Sequence, residues 1–136
     1  MSTVLTEAPA AKTATKKQPF VLKGVMQAPV TPLHDDFSVD YDGLEKMVNF
    51  HVVNGAPAIA WPHHKAESPN LTMTERKRGA EVMMKTVAGR VPVIVGVSSP
   101  GFAAMGEIAR SVMDLGASGV MVGPGAAVRT DDQAVA

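Results

Sequence analysis

The chain has 136 residues, enough for one domain with a sizeable core, and 13 Lys and Arg balance 13 Asp and Glu. With no net charge there is no electrostatic case for nucleic acid or an anionic membrane, and no apolar run approaches the roughly 20 residues that span a bilayer. Cysteine is absent, which excludes disulfides and thiolate chemistry.

Residues 1–19 are rich in Ala, Thr and Lys, without the apolar centre of a signal peptide and with too few of the marks of a transit peptide. They read as a disordered leader on a cytoplasmic protein, and residues 20–136 as the folded domain. The run Gly24-Val-Met-Gln-Ala-Pro-Val30 has strand character and leads into a Pro-bounded turn at Thr31-Pro32. Asp40 is placed to cap a helix that carries Leu44, Met47, Val48 and His51 on one face and stops at Gly55. A second strand, Ala56–Trp61, runs into the polar loop His63-His-Lys-Ala-Glu67. Thr72-Met-Thr-Glu75 has the form of a capping box, and Val82, Met83 and Val87 continue that helix to Gly89. Val91–Val97 is the strongest strand, with Pro92 at its start where a missing N–H costs little. Gly101–Leu115 reads as a helix with Ile108, Val112 and Leu115 facing inward, and Gly119–Val122 as a fourth strand. Thr130-Asp-Asp-Gln133 resembles the opening turn of a fourth helix whose body is not in the chain.

The four apolar runs are continuous rather than alternating, as in parallel strands covered on both faces. Strand followed by helix, repeated in register, specifies an α/β protein. The expected architecture is the first four β/α units of a (β/α)8 TIM barrel, truncated, because a full barrel needs about 250 residues. An open doubly wound sheet is the alternative, since strand order is not written in one sequence. In such a barrel the active site lies at the C-terminal ends of the strands, which makes Thr31, His63–Glu67, Ser98-Ser99 and Gly123-Pro-Gly125 the places for chemistry.

Several motifs carry a family resemblance. Gly-Val-x-x-Ala-x-Val-Thr-Pro at Gly24–Pro32, Leu71-Thr72-x-x-Glu75-Arg76, Gly89-Arg-Val-Pro-Val-Ile-Val-Gly-Val97 and Leu115-Gly-Ala-Ser-Gly-Val120 together resemble the dihydrodipicolinate synthase and N-acetylneuraminate lyase family. The likeness runs over about residues 21–135 and corresponds to the first half of the family fold. It implies a class I aldolase or lyase that forms a Schiff base between a barrel lysine and a 2-oxo acid such as pyruvate, with no cofactor and no metal. In the family that lysine lies on the sixth strand, so the resemblance places the nucleophile outside these residues. It also implies a homo-oligomer, dimer or tetramer, for the full-length protein.

Two positions depart from the family pattern. Its Gly-Thr-Thr-Gly-Glu motif falls on His63, His64, Lys65, Ala66 and Glu67, of which Glu67 alone is retained. Its Pro-Tyr-Tyr falls on Pro124, Gly125 and Ala126, so the phenols are absent. The candidate catalytic residues are therefore His64, a proton shuttle near neutral pH, and Lys65, a point charge for the substrate carboxylate. His63, His64, Lys65, Glu67 and Thr31 are the candidate substrate-binding residues. The structural alternatives are a solvated loop for His63–Glu67, with Glu67 orienting it through backbone N–H groups, and a strand-closing role for Thr31. Lys65 as a replacement Schiff-base nucleophile would need a desolvated amine, which an exposed loop does not provide. His63, His64 and Glu67 lack the helical i, i+4 spacing of zinc motifs, so no metal is expected. The rival to the enzyme is a non-catalytic truncated or degenerate family member, or a half-barrel interaction module. Trp61 is expected to be buried against the following helix.

Overall fold

The computed structural model describes residues 21–123. Helix α1 (Tyr41–Val53) starts where expected: the Asp40 carboxylate accepts the Gly43 N–H at 2.8 Å, which satisfies one of the donors a helix start leaves free. Helix α2 (Met73–Val87) opens on a complete capping box. Thr72 Oγ1 accepts the Glu75 N–H at 3.2 Å, while the Glu75 carboxylate accepts the Thr72 N–H at 2.8 Å and its hydroxyl at 2.7 Å. Helix α3 (Phe102–Asp114) buries Ile108 and Val112, but Leu115, expected to point inward, is exposed just beyond the helix.

Strands β1 (Ile59–Trp61), β2 (Val93–Gly96) and β3 (Gly119–Met121) form one parallel sheet in the order β1-β2-β3. Ile59 pairs with Val93, and Ile94 with Gly119. Every residue of β1 and β2 is buried, as the continuous apolar runs predict, whereas β3 is half-exposed. The core lies between sheet and helices: Leu44 and Val48 of α1, Met83 and Val87 of α2, and Ile108 and Val112 of α3 close over Ile59, Trp61, Val93 and Val95. Helix α2 packs between α1 and α3.

The first predicted strand, Gly24–Val30, is reduced to a single parallel bridge. Gln27 faces Ile59, donating to the Ala58 carbonyl at 2.9 Å and accepting from the Ala60 N–H at 2.8 Å. Pro29 has no N–H to extend the ladder, and the segment's outer side has no strand beside it among the described residues, so Val25 and Val30 stay exposed. The segment nonetheless stands where a strand preceding β1 belongs, parallel to it and on its free edge. The predicted fourth helix lies outside the described residues.

Candidate active site at the strand ends

Trp61 is wholly buried, and it organises the end of β1 and the loop beyond it. The outer corner of the indole packs against α2 where Gly79 has no side chain: a Cβ there would come within 2.2 Å of the ring. Its Nε1 donates to Thr31 Oγ1 at 2.9 Å, and the Thr31 hydroxyl donates onward to the Ala66 carbonyl at 2.6 Å. A buried chain of two hydrogen bonds thus ties the first segment, the end of β1 and the loop after it. The single hydroxyl proton of Thr31 is committed to Ala66.

Two short 3-10 turns, His64–Ala66 and Ser68–Asn70, build the loop after β1. Its backbone lies directly on β2: a Cβ on Gly96 would sit 1.7 Å from the Pro62 carbonyl oxygen, a separation no side chain can occupy. Glu67 joins the two turns in the left-handed region at φ 58°. Its carboxylate accepts from Asn70 Nδ2 at 2.6 Å, so it braces the loop through a side chain rather than through the backbone donors expected of it. His64 and Lys65 are exposed on the loop. His63 is half-buried, and its Nε2 is shielded from solvent with no partner among the described residues. Burial pulls its pKa below the ordinary histidine value, and the neighbouring His64 and Lys65 pull it further. The His63 ring is therefore held neutral at neutral pH.

Arg76, which the sequence shows only as the end of a motif, has a definite task here. It is 4% exposed, on the inner face of the first turns of α2. Its two terminal nitrogens donate to the Ser98 carbonyl at 2.9 Å and the Gly96 carbonyl at 3.0 Å, which holds the C-terminal end of β2 and the residues beyond it. Its Nε has no partner among the described residues, and burial lowers its pKa. The signal was in the spacing: Arg76, Ala80, Met83 and Val87 form one inward stripe at helical period.

Beyond β2, Ser98 reaches to the end of β3. Its Oγ accepts the Gly123 N–H at 2.7 Å. A Cβ placed on Gly123 would stand 3.6 Å from Ser98 Oγ and 3.9 Å from His64 Nε2. His64, Ser98 and Gly123 therefore meet at one point over the C-terminal ends of the sheet, where the barrel rule places the chemistry. Thr31 supports the loop after β1 through the Ala66 carbonyl, Glu67 braces it from within through Asn70, and Lys65 is exposed on it. Pro124 and Gly125 fall outside the described residues. A surface cleft of about 550 Å³ between α1 and α2, lined by Asp42, Glu45, Lys46, Asn49, Lys85 and Thr86, contains no residue from the strand ends and none of this chemistry. Among the described residues no three His, Asp or Glu gather as metal ligands.

A parallel sheet walled by helices, with polar loops collected at its C-terminal ends, has the arrangement of the (β/α)-barrel class of proteins. The chain belongs to the dihydrodipicolinate synthetase family, whose sequence model matches residues 21–124. Among its relatives, 4-hydroxy-tetrahydrodipicolinate synthase of Gluconacetobacter diazotrophicus is 37% identical over 102 residues, which make up 75% of this chain and 34% of that protein. The crystal structure of dihydrodipicolinate synthase from Rhodopseudomonas palustris superposes with a TM-score of 0.71 at 38% identity, over 79% of this chain and 36% of that one. N-acetylneuraminate lyase of Proteus mirabilis superposes with a TM-score of 0.71 at 25% identity, over 74% of this chain and 34% of that one. The chain spans about a third of the length of the curated relatives it matches.

Proposed function

We propose that these residues form the N-terminal part of a class I lyase or aldolase acting on a 2-oxo acid of the pyruvate type. The carrying observation is the convergence of His64, Ser98 and Gly123 at the strand ends of a chain belonging to this family. In this reading the nucleophilic lysine stands on a later strand of the complete barrel. Its amine attacks the ketone and water departs, leaving an iminium that draws electrons from the adjacent carbon. His64 moves a proton at the mouth through Nε2, and Lys65 offers its charge to the substrate carboxylate. His63 and Glu67 border the same pocket, and Thr31 fixes the loop from below. The protein is read as cytoplasmic from its N-terminal composition, and the family resemblance suggests a homo-oligomer, dimer or tetramer.

The test is to treat the complete barrel with pyruvate and borohydride and to weigh the intact protein. A reduced adduct on a lysine of a later strand supports the reading; no adduct ends it, and an adduct mapped to Lys65 overturns the assignment of the nucleophile. A second reading is favoured by the departures at His64, Lys65, Gly125 and Ala126 from the family's hydroxyl-bearing residues: a family member without catalysis. Absence of the adduct, with the fold intact, is the outcome that reading expects.

A further inference from the structure

The loop after β1 is held shut over β2 with two polar atoms unsatisfied. The backbone of Pro62 and His63 lies on the end of the strand, where a Cβ on Gly96 would stand 1.7 Å from the Pro62 carbonyl oxygen and 3.8 Å from the His63 nitrogen. His63 Nε2 is buried without a partner among the described residues. So is Nε of Arg76, whose Nη2 donates to the carbonyl of that same Gly96 at 3.0 Å. Buried polar atoms without partners cost free energy that contact with water recovers. Lifting the loop is the movement that brings water to this contact.

His63 is also the node of the loop. Its carbonyl accepts the Ala66 N–H at 2.8 Å and the Ser68 N–H at 3.3 Å, so one residue organises both 3-10 turns. The Ala66 carbonyl receives the Thr31 hydroxyl, and the Thr31 oxygen receives the Trp61 indole N–H. A displaced His63 is therefore felt at the tryptophan. Charge decides what displaces it. The charged groups acting on the ring are His64 and Lys65, both of its own loop. Across the contact, β2 carries no titratable side chain and α2 presents Arg76, a further cation. Glu67, the one carboxylate of the loop, is engaged by Asn70. A neutral ring can leave Nε2 bare, but a protonated ring puts an N–H there, shielded from water and with no acceptor among the described residues.

We infer that residues 62–70 form an acid-opened lid on the candidate site: a proton on His63 drives its ring into water, releases the Ala66 and Ser68 N–H groups and lifts the loop from the end of β2. That the uncovered site is catalytic rests on the lyase reading. With the lid open, His63 titrates near the ordinary histidine value of about 6.5; with the lid shut it stays neutral to lower pH. Between those two values the open form takes up one proton more than the shut form. Its population therefore rises by up to about tenfold for each unit of acidification. Above the ordinary value the lid is shut.

Amide exchange in the 136-residue chain tests this without requiring turnover. Exchange at Ala66 and Ser68 is followed by nuclear magnetic resonance from pH 7 to pH 5, corrected for the intrinsic pH dependence of exchange, alongside Trp61 emission. The expected result is that protection at both amides falls by up to about tenfold per pH unit below about 6.5 and that the emission moves to longer wavelength. The sheet amide of Ile59, bonded to the Pro92 carbonyl at 3.0 Å, stays protected, which separates opening from unfolding. His63→Gln, which cannot take the proton, abolishes the change. His64→Gln, at an exposed position, retains it. If His63→Gln loses the helical circular dichroism of the parent, the parent's ring resonances decide: the transition must follow the titration of His63. Protection that does not change with pH, a change that survives in His63→Gln, or simultaneous loss of protection at Ile59 overturns the inference. An acid-opened lid together with no borohydride adduct in the complete barrel would sink the lyase reading and leave the lid standing; an adduct with a lid indifferent to pH would do the reverse.

Discussion

At the scale of single residues, Gly79 and His63 show how contact geometry overrides intrinsic preference. Alanine in a helix interior is ordinarily about 1 kcal/mol better than glycine. At Gly79 the sign reverses, because the added Cβ would lie 2.2 Å from a fully buried indole that cannot retreat. Gly79→Ala is expected to destabilise by about 2 kcal/mol, seen as a lower urea midpoint with Trp61, the only tryptophan, as the fluorescent reporter. His63 makes a pH prediction. Its folded pKa is depressed, so between the ordinary histidine value of about 6.5 and the folded value the unfolded chain binds more protons. Its contribution to stability is complete above that ordinary value and is lost as pH falls toward the folded one. Denaturation at pH 7 and pH 5 should therefore show the parent losing more stability than His63→Gln. A parent and variant with parallel pH dependence would mean that the ring is not held neutral. Residue types at the loop were legible in the sequence, since the family pattern counts onto His63–Glu67. The partners of those residues were not: that Thr31 bonds Ala66, or that Ser98 reaches Gly123, depends on chain segments more than 20 residues apart.

At the scale of elements, helix starts were read best because their chemistry is local. Asp40 and Thr72 each bond a backbone N–H three residues on, so sequence distance and spatial distance coincide. The capping box is also an acid-sensitive lock. The Thr72 hydroxyl and N–H hold the Glu75 carboxyl below the usual glutamate range. A depressed folded pKa adds stability above the unfolded value of about 4.3, and that stability disappears as pH falls through the folded pKa. Thr72→Ala should cost about 1 kcal/mol at pH 7, and thermal melts should show the gap from the parent narrowing below about pH 4. A gap that does not change with pH would assign the loss to the hydroxyl's bond with the Glu75 N–H alone. Strands were harder. The run Gly24–Val30 has strand composition, but a strand exists only through its neighbours, and with no strand on one flank among the described residues and Pro29 in its course it keeps a single bridge. Composition does not announce which strand stands at an edge.

At the scale of the molecule, the parallel order β1-β2-β3 with Gln27 bridged to β1 makes an open wall rather than a closed surface among the described residues. Strand patterns apolar on both faces made the barrel class legible, because only a sheet covered on both sides tolerates them. The same patterns now mark where the cover is missing. On one flank Val25 and Val30 are 70% and 51% exposed, and on the other Val120 and Val122 are 40% and 61% exposed. Both flanks also lack a strand partner among the described residues, so unpaired N–H and C=O groups accompany exposed valines. Strand edges of this kind associate, and the chain's zero net charge offers no long-range repulsion against it. The 136-residue chain by itself should therefore show a sedimentation coefficient that rises with concentration. Placing lysine on the β3 flank, as Val120→Lys with Val122→Lys, should suppress that rise while leaving the helical circular dichroism unchanged, because neither side chain belongs to the core. If the parent sediments as one monomeric species at every concentration and unfolds cooperatively, the flanks are covered by some other part of the chain, and the open-wall description of the fold is wrong.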